Sequence, residues 1–167
     1  MNIIIKVLLS AFILPGMVVP YPSTFNEAGT LETVFTLGIT GSVILFALFF
    51  LAIGFYCKEL QNCLVLISPQ NRKASPRSVW FMFLIPFNFI EDFFIAINLF
   101  NSMEEAKCNK KLSGIKDLGM ISGIGWCIAQ IFSLIPNIAG QLAGALGLVL
   151  WIIHWRLIIK INKLLTQ

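Results

Sequence analysis

Charge is what this chain has least of. Of its 167 residues, 12 are Lys or Arg, 8 are Asp or Glu and 1 is His, so charged residues make up 12%, against ~25% in an ordinary soluble domain. Catalytic signatures are missing too. There is no HExxH, no GxSxG and no phosphate-binding glycine loop. One histidine and few carboxylates leave little for acid–base work, so no enzyme is expected. The four cysteines, Cys57, Cys63, Cys108 and Cys127, form no CxxC pair and have no histidine cluster beside them. No metal and no other cofactor is expected from them. The net charge of +4 is not gathered on a basic face, so nucleic acid is not an expected partner.

Apolar residues fill the space that charge leaves. They make up 57% of the chain, with 15 Phe, and the mean hydropathy is +0.86. So much apolar surface cannot be hidden in a soluble protein of this size, and the expected solvent is a lipid bilayer. The basic residues lie between apolar runs, as membrane-flanking charges do.

The runs define one membrane domain over 1–167. Residues 1–26 hold a first hydrophobic segment, a signal-like anchor that Pro15-Gly16 interrupts and that has no evident small-x-small cleavage site. Residues 33–57 carry no charge over 25 positions, and about 20 suffice to cross. The loop 58–78 brings Lys58, Arg72, Lys73 and Arg77, which place it in the cytoplasm. From Leu118 to Trp155 there is no Asp, Glu, Lys or Arg over 38 residues. Pro136-Asn137 divides that stretch into a transmembrane hairpin of 115–134 and 138–157. Arg156, Lys160 and Lys163 follow, so the C-terminus is expected on the cytoplasmic side of a bacterial inner membrane. A second basic loop, 104–117, predicts a cytoplasmic Cys108.

Segment 79–103 is the anomaly, because Glu91 and Asp92 interrupt an otherwise apolar stretch. A single crossing would put an ionised carboxylate near the bilayer centre at a cost of roughly +2.5 to +3.5 kcal/mol. It would also set the two basic loops on opposite sides. A broken pair that enters and returns, re-entrant or interfacial, avoids both. Pro86 makes the break. Asn88 then reads as an N-cap and Glu91 as its capping-box partner, with Asp92 favoured by the helix dipole. Glu91, Asn98, Ser102 and Glu105 form a polar stripe. Phe89, Phe93, Ile97 and Phe100 form an apolar one, giving an amphipathic helix at the lipid–water boundary. A polar path of Glu91, Asp92, Asn98 and Ser102 is the sharper alternative. Neighbouring acids point about 100° apart on a helix, which suits two-carboxylate chemistry poorly.

Small residues mark close packing. Gly119 and Gly123 lie on one arm of the hairpin, and Gly140, Gly144 and Gly147 on the other. Trp80, Trp151, His154, Trp155 and Arg156 read as interfacial anchors.

The stretch NRKASPRSVWFMFLIPFNF (71–89) resembles a motif, N-R-x-x-S-P-x-x-V-W-x-x-L-I-P, of an uncharacterised family of small bacterial multipass membrane proteins. Asn71, Arg72, Ser75, Pro76, Val79 and Trp80 carry it, with Leu84, Ile85 and Pro86 one residue further along than in the motif, and Gly125-Trp126, Ile135-Pro136 and Trp151 extend it. The resemblance implies a multipass membrane fold and no particular activity.

The expectation is therefore an all-α integral membrane protein with about four transmembrane helices plus the broken pair. Its partners would be the lipid bilayer and either another membrane protein or itself. The function expected first is a non-catalytic accessory or assembly subunit of a larger membrane complex. The alternative is a small oligomeric channel or transporter with Glu91 and Asp92 in its path.

Overall fold

The computed structural model describes residues 30–84, 87–107, 112, 115, 117–135 and 137–167, with side chains for all of these except 30–37, 39 and 42. The expected first segment, 1–26, and Cys108 lie outside them. Every regular element among the described residues is helical: α1 (Thr30–Leu66), two 3-10 pieces at Pro69–Asn71 and Pro76–Phe83, α2 (Asn88–Lys107), α3 (Met120–Phe132) and α4 (Ile138–Thr166).

Two of these helices are long and apolar enough to cross a membrane. They are Val43–Leu66, with mean hydropathy 2.0, and Ile138–Thr166, with 1.9. α1 is broken at Gly38, which has a φ of 66°, so the apolar window lies beyond the break. α3 is shorter than the span expected over 115–134. Its 13 residues reach ~20 Å at 1.5 Å per residue, against a core of ~30 Å.

Both long helices run further than their charges suggested. α1 passes through Lys58 and Glu59 because Leu60, Cys63, Leu64 and Ile67 are all buried, a stripe at helical spacing that only a continued helix can bury. Its end is closed by Arg72, whose Nε donates to the Ile67 carbonyl and whose Nη2 donates to the Val65 carbonyl, each at 2.8 Å. A cation on the last carbonyls also suits the helix dipole. α4 continues beyond Arg156 because Ile158, Ile161 and Leu165 repeat the same pattern.

The contacts set the directions. Phe49 meets Trp151, Tyr56 meets His154, and Glu59 accepts from the Asn162 amide. Numbers rise together, so α1 and α4 are parallel. Lys58, Arg72, Lys73, Arg77, Arg156, Lys160 and Lys163 thereby gather at one end of the bundle. α3 is antiparallel to α4, with Gly123 beside His154, Gly125 beside Leu150 and Gly147 beside Ala129.

Between α1 and α3 the chain climbs and comes back. Trp80 Nε1 donates to Gln61 Oε1, Cys57 Sγ donates to the Val79 carbonyl, and Phe83 reaches Phe50. The partners on α1 thus recede toward its N-terminal half as the 3-10 segment advances. α2 then descends until Ser102 Oγ accepts from the Lys73 amide and Glu105 pairs with Lys73 at 2.7 Å. The turn-back falls between Phe83 and Asn88. The 3-10 geometry explains the ascending half, since side chains three apart eclipse in it. Trp80 stacks on Phe83 with centroids 5.9 Å apart and a 20° interplanar angle, while Val79 and Met82 are the buried pair.

Candidate binding cavity

The burial pattern of α2 follows the stripes expected of it only in part: Phe89 is buried and Glu105 exposed, but Glu91 and Ser102 are buried as well. Its buried side is Phe89, Asp92, Ile95, Ala96, Leu99, Met103 and Ala106, and Glu91 is buried too. Phe93, Ile97 and Phe100 are only half-buried. Glu91 and Asp92 therefore turn inward together with Phe89, while Phe93 and Phe100 are only partly covered and Glu105 is exposed. In a charge-poor bundle the outer face is as apolar as the core, and the polar groups that cannot reach water collect inside.

The capping box is not formed as expected either. Asn88 is itself the first helical residue, with its amide donating to the Leu84 carbonyl at 2.8 Å, and its Oδ1 has no hydrogen-bond partner. The amides of Ile90 and Glu91 donate instead to the Phe87 carbonyl. The start of α2 is held by backbone bonds carried in from the turn.

Asn88 and Asp92 are instead part of a cavity of about 450 Å³ enclosed by α1, α2, α3, α4 and the end of the 3-10 segment. This falls in the ~300–1,000 Å³ range of small-molecule sites. Phe46, Phe49, Phe50, Phe89, Trp126 and Trp151 make its wall largely aromatic. Close ring contacts fix that wall: Tyr56 meets Trp126 and Trp151 edge-on at 5.9 and 5.6 Å, an arrangement aromatic quadrupoles favour. Gly144 and Gly147 leave room on the α4 side. The rim includes Phe46, which is 65% exposed.

Set in this apolar wall are four residues with an orphaned buried polar atom: Asn88 Oδ1, Asp92 Oδ1, Gln130 Oε1 and Trp151 Nε1. Buried polar atoms are rarely left without a partner, and four in one wall form a concentration. Asp92 is the most costly, being only 2% exposed. α2 is not one of the two helices long and apolar enough to cross a membrane. Burial pushes the Asp92 carboxyl well above the usual carboxylate range, and the neighbouring Glu91 charge adds to the rise.

Beside the cavity, Tyr56 and His154 share a buried hydrogen bond of 2.8 Å between the hydroxyl and Nδ1. His154 sits against Gly119 and Gly123, where an added Cβ would lie 3.0–3.1 Å from the imidazole. Gly119 also holds a φ of 88°, a left-handed conformation that costs other residues roughly 1–2 kcal/mol. His154 and Trp151 are thus buried structural groups rather than the boundary anchors expected; Trp80 and Arg156 are on the surface, and Trp155 is half-buried. Tyr56→Phe should lower stability by about 1–3 kcal/mol, because it orphans a buried imidazole nitrogen. Adding His154→Phe should cost less than the sum of the two changes, which a double-mutant cycle of thermal unfolding in detergent would measure.

The other expected site residues fall elsewhere. Ser102 Oγ donates to the Asn98 carbonyl at 2.6 Å and accepts from Lys73, so it ties the turn to α2. Neither Ser102, Asn98 nor Glu91 lines the cavity. Gly140 packs against the hairpin turn and Gly144 against Ser133. Tyr56 and Gln130 were not singled out from the sequence, and Trp126 entered only through the resemblance; for Gln130, the signal was an uncompensated amide inside the uncharged stretch. Among the described residues no group of three His, Cys, Asp or Glu could hold a metal ion. No protein-family model, no curated protein and no solved structure matches the chain, so the site is read from its own geometry.

Proposed function

We propose that this chain is an integral membrane protein that binds a small amphipathic molecule inside its helical bundle, in the manner of a small transporter or channel. The observation that carries the reading is the aromatic cavity with the buried, unpartnered Asp92 in its wall. Protein interiors retain such groups mainly where they are used, because each costs stability.

The bilayer reading rests on where the apolar surface points. Only 17% and 22% of the apolar windows of α1 and α4 are buried, unlike the core helix of a soluble protein. The parallel arrangement of these helices supports the orientation. It puts both basic ends on one side, the cytoplasmic one by the positive-inside tendency, together with the C-terminus. α3 runs back antiparallel to α4, and the 3-10 segment with α2 forms a re-entrant pair. Its 3-10 half packs on α1 through Val79 and Met82, both of which meet Cys57, while Trp80 and Phe81 stay exposed.

An accessory subunit remains the second reading, favoured by the exposed stripe Leu142, Leu146, Val149 and Ile153 on α4, which lipid or another helix could cover. Native mass spectrometry of the protein purified in mild detergent separates the two. A retained small molecule, lost when Gly144→Leu fills the cavity, is the expected result. An unrelated subunit at fixed stoichiometry with an empty cavity would establish the accessory role instead. Release of the chain from membranes by alkaline carbonate would overturn the bilayer reading.

A further inference from the structure

The electrostatics of the cavity are one-sided. The charged or titratable groups that act on Asp92, or feel it, are Glu91 on its own helix, Tyr56 and Cys57 from α1, and Cys127 from α3. None is a cation. α4 contributes Trp151 to the wall, and its His154 is turned to the Tyr56 hydroxyl. Among the described residues, Lys58, Arg72, Lys73, Arg77, Arg156, Lys160 and Lys163 lie at the basic end of the bundle instead. A buried carboxyl is ordinarily matched by a Lys, an Arg or a full set of hydrogen bonds. Here Oδ1 has neither.

The wall around it is suited to positive charge of another kind. Aromatic faces attract a cation through the ring quadrupole, most strongly when water is excluded, and they pack an apolar body equally well. The terminal torsion of an Asp is soft, so either carboxyl oxygen can be turned toward the cavity. Asn88 and Gln130 can present the oxygen or the nitrogen of their amides and accept from an N–H.

We propose that the cavity takes a lipophilic amine as its protonated cation, with Asp92 as the counter-ion and the Phe50, Trp126 and Trp151 rings around the apolar body. The positive charge that the described residues do not bring to Asp92 is supplied by the ligand. This rests on the ligand-binding reading above and names its substrate class. A proton competes with the ammonium group for the same carboxyl, so amine binding weakens as pH is lowered. A neutral ligand of the same shape shows no such dependence.

The test compares 4-phenylbutylamine with 4-phenylbutanol, binding to the full chain in a non-ionic detergent and measured by calorimetry. At about pH 7 the amine is charged, since alkylammonium groups titrate near ~10, while the alcohol is neutral and still has a hydrogen-bond donor. The amine is expected to bind at least about tenfold more tightly. Asp92→Asn, and acid pH in the wild type, should each bring its affinity down to that of the alcohol. Equal affinities for the two ligands would overturn the cation assignment and leave the ligand-binding reading standing. A preference that survives in Asp92→Asn would overturn the role of Asp92. Failure of both ligands to bind the wild type would overturn both readings.

Discussion

Gly140→Ala is expected to destabilise the protein by about 3 kcal/mol or more, whereas Gly144→Ala, one turn further along the same helix, should be neutral or slightly stabilising. Both glycines belong to one small-residue motif, and the motif alone treats them alike. Their surroundings do not. A Cβ on Gly140 would fall on the Ile135 carbonyl oxygen, with the Phe132 carbonyl oxygen 3.3 Å away. Both obstacles are backbone, so the hairpin turn itself must move. That turn also sets the start of α4, where Asn137 Oδ1 accepts from the Gly140 amide at 3.0 Å, and the shift would break this cap at a further cost of ~1 kcal/mol. A Cβ on Gly144 would meet only the Ser133 Cβ at 3.4 Å, an ordinary contact, and Ala is favoured over Gly within a helix by up to ~1 kcal/mol. Thermal unfolding of the two variants in one detergent measures the contrast. Equal losses would mean that the hairpin tolerates no side chain along this face at all. Equal neutrality would mean that the turn is not as tight as described. The hairpin holds Gln130 and Trp151 in the cavity wall, so Gly140→Ala should also weaken any ligand bound there.

That contrast shows what was legible in the residues and what was not. The helical character of the chain was legible, because long uncharged runs without strand alternation leave few alternatives. So was the division at 134–137, where Pro136 and Asn137 must end one helix before the next begins. The facing of each helix was not. In water, polarity tells inside from outside, but here both faces are apolar: Phe46 is 65% exposed and Leu60 is 0% exposed, with nothing in their chemistry to separate them. Charge was also a poor marker of helix ends. Lys58 and Glu59 sit within α1, because Glu59 finds Asn162 on α4 and the stripe from Leu60 to Ile67 continues to pack. The acids of α2 were visible from the start as out of place. Periodicity sent Glu91 toward water, yet both acids are buried, and Asp92 of the two reaches the cavity.

Asp92→Asn should make the protein more stable and its cavity less capable. At pH 7 a buried Asp has two ways to be accommodated, and each lowers stability. It can keep its charge without water, or it can take up a proton that the unfolded chain would not hold. Asn has nearly the same shape and meets neither demand, so a gain of about 1–3 kcal/mol is expected. The pH dependence follows from the direction of the shift. A carboxyl raised above its unfolded value binds its proton more tightly in the folded state. Its contribution is fully favourable below the ordinary carboxylate range, near pH ~4, and is lost as pH rises from there through the folded value. The advantage of Asp92→Asn should therefore be largest at neutral pH and shrink toward zero as pH falls to about 4. Thermal unfolding of the two proteins across that window measures it. Loss of stability in Asp92→Asn at neutral pH would mean that the carboxylate is held by favourable partners, and a carboxylate so held is not waiting for a ligand. A gain in stability together with a loss of amine binding would tie the two properties to one atom.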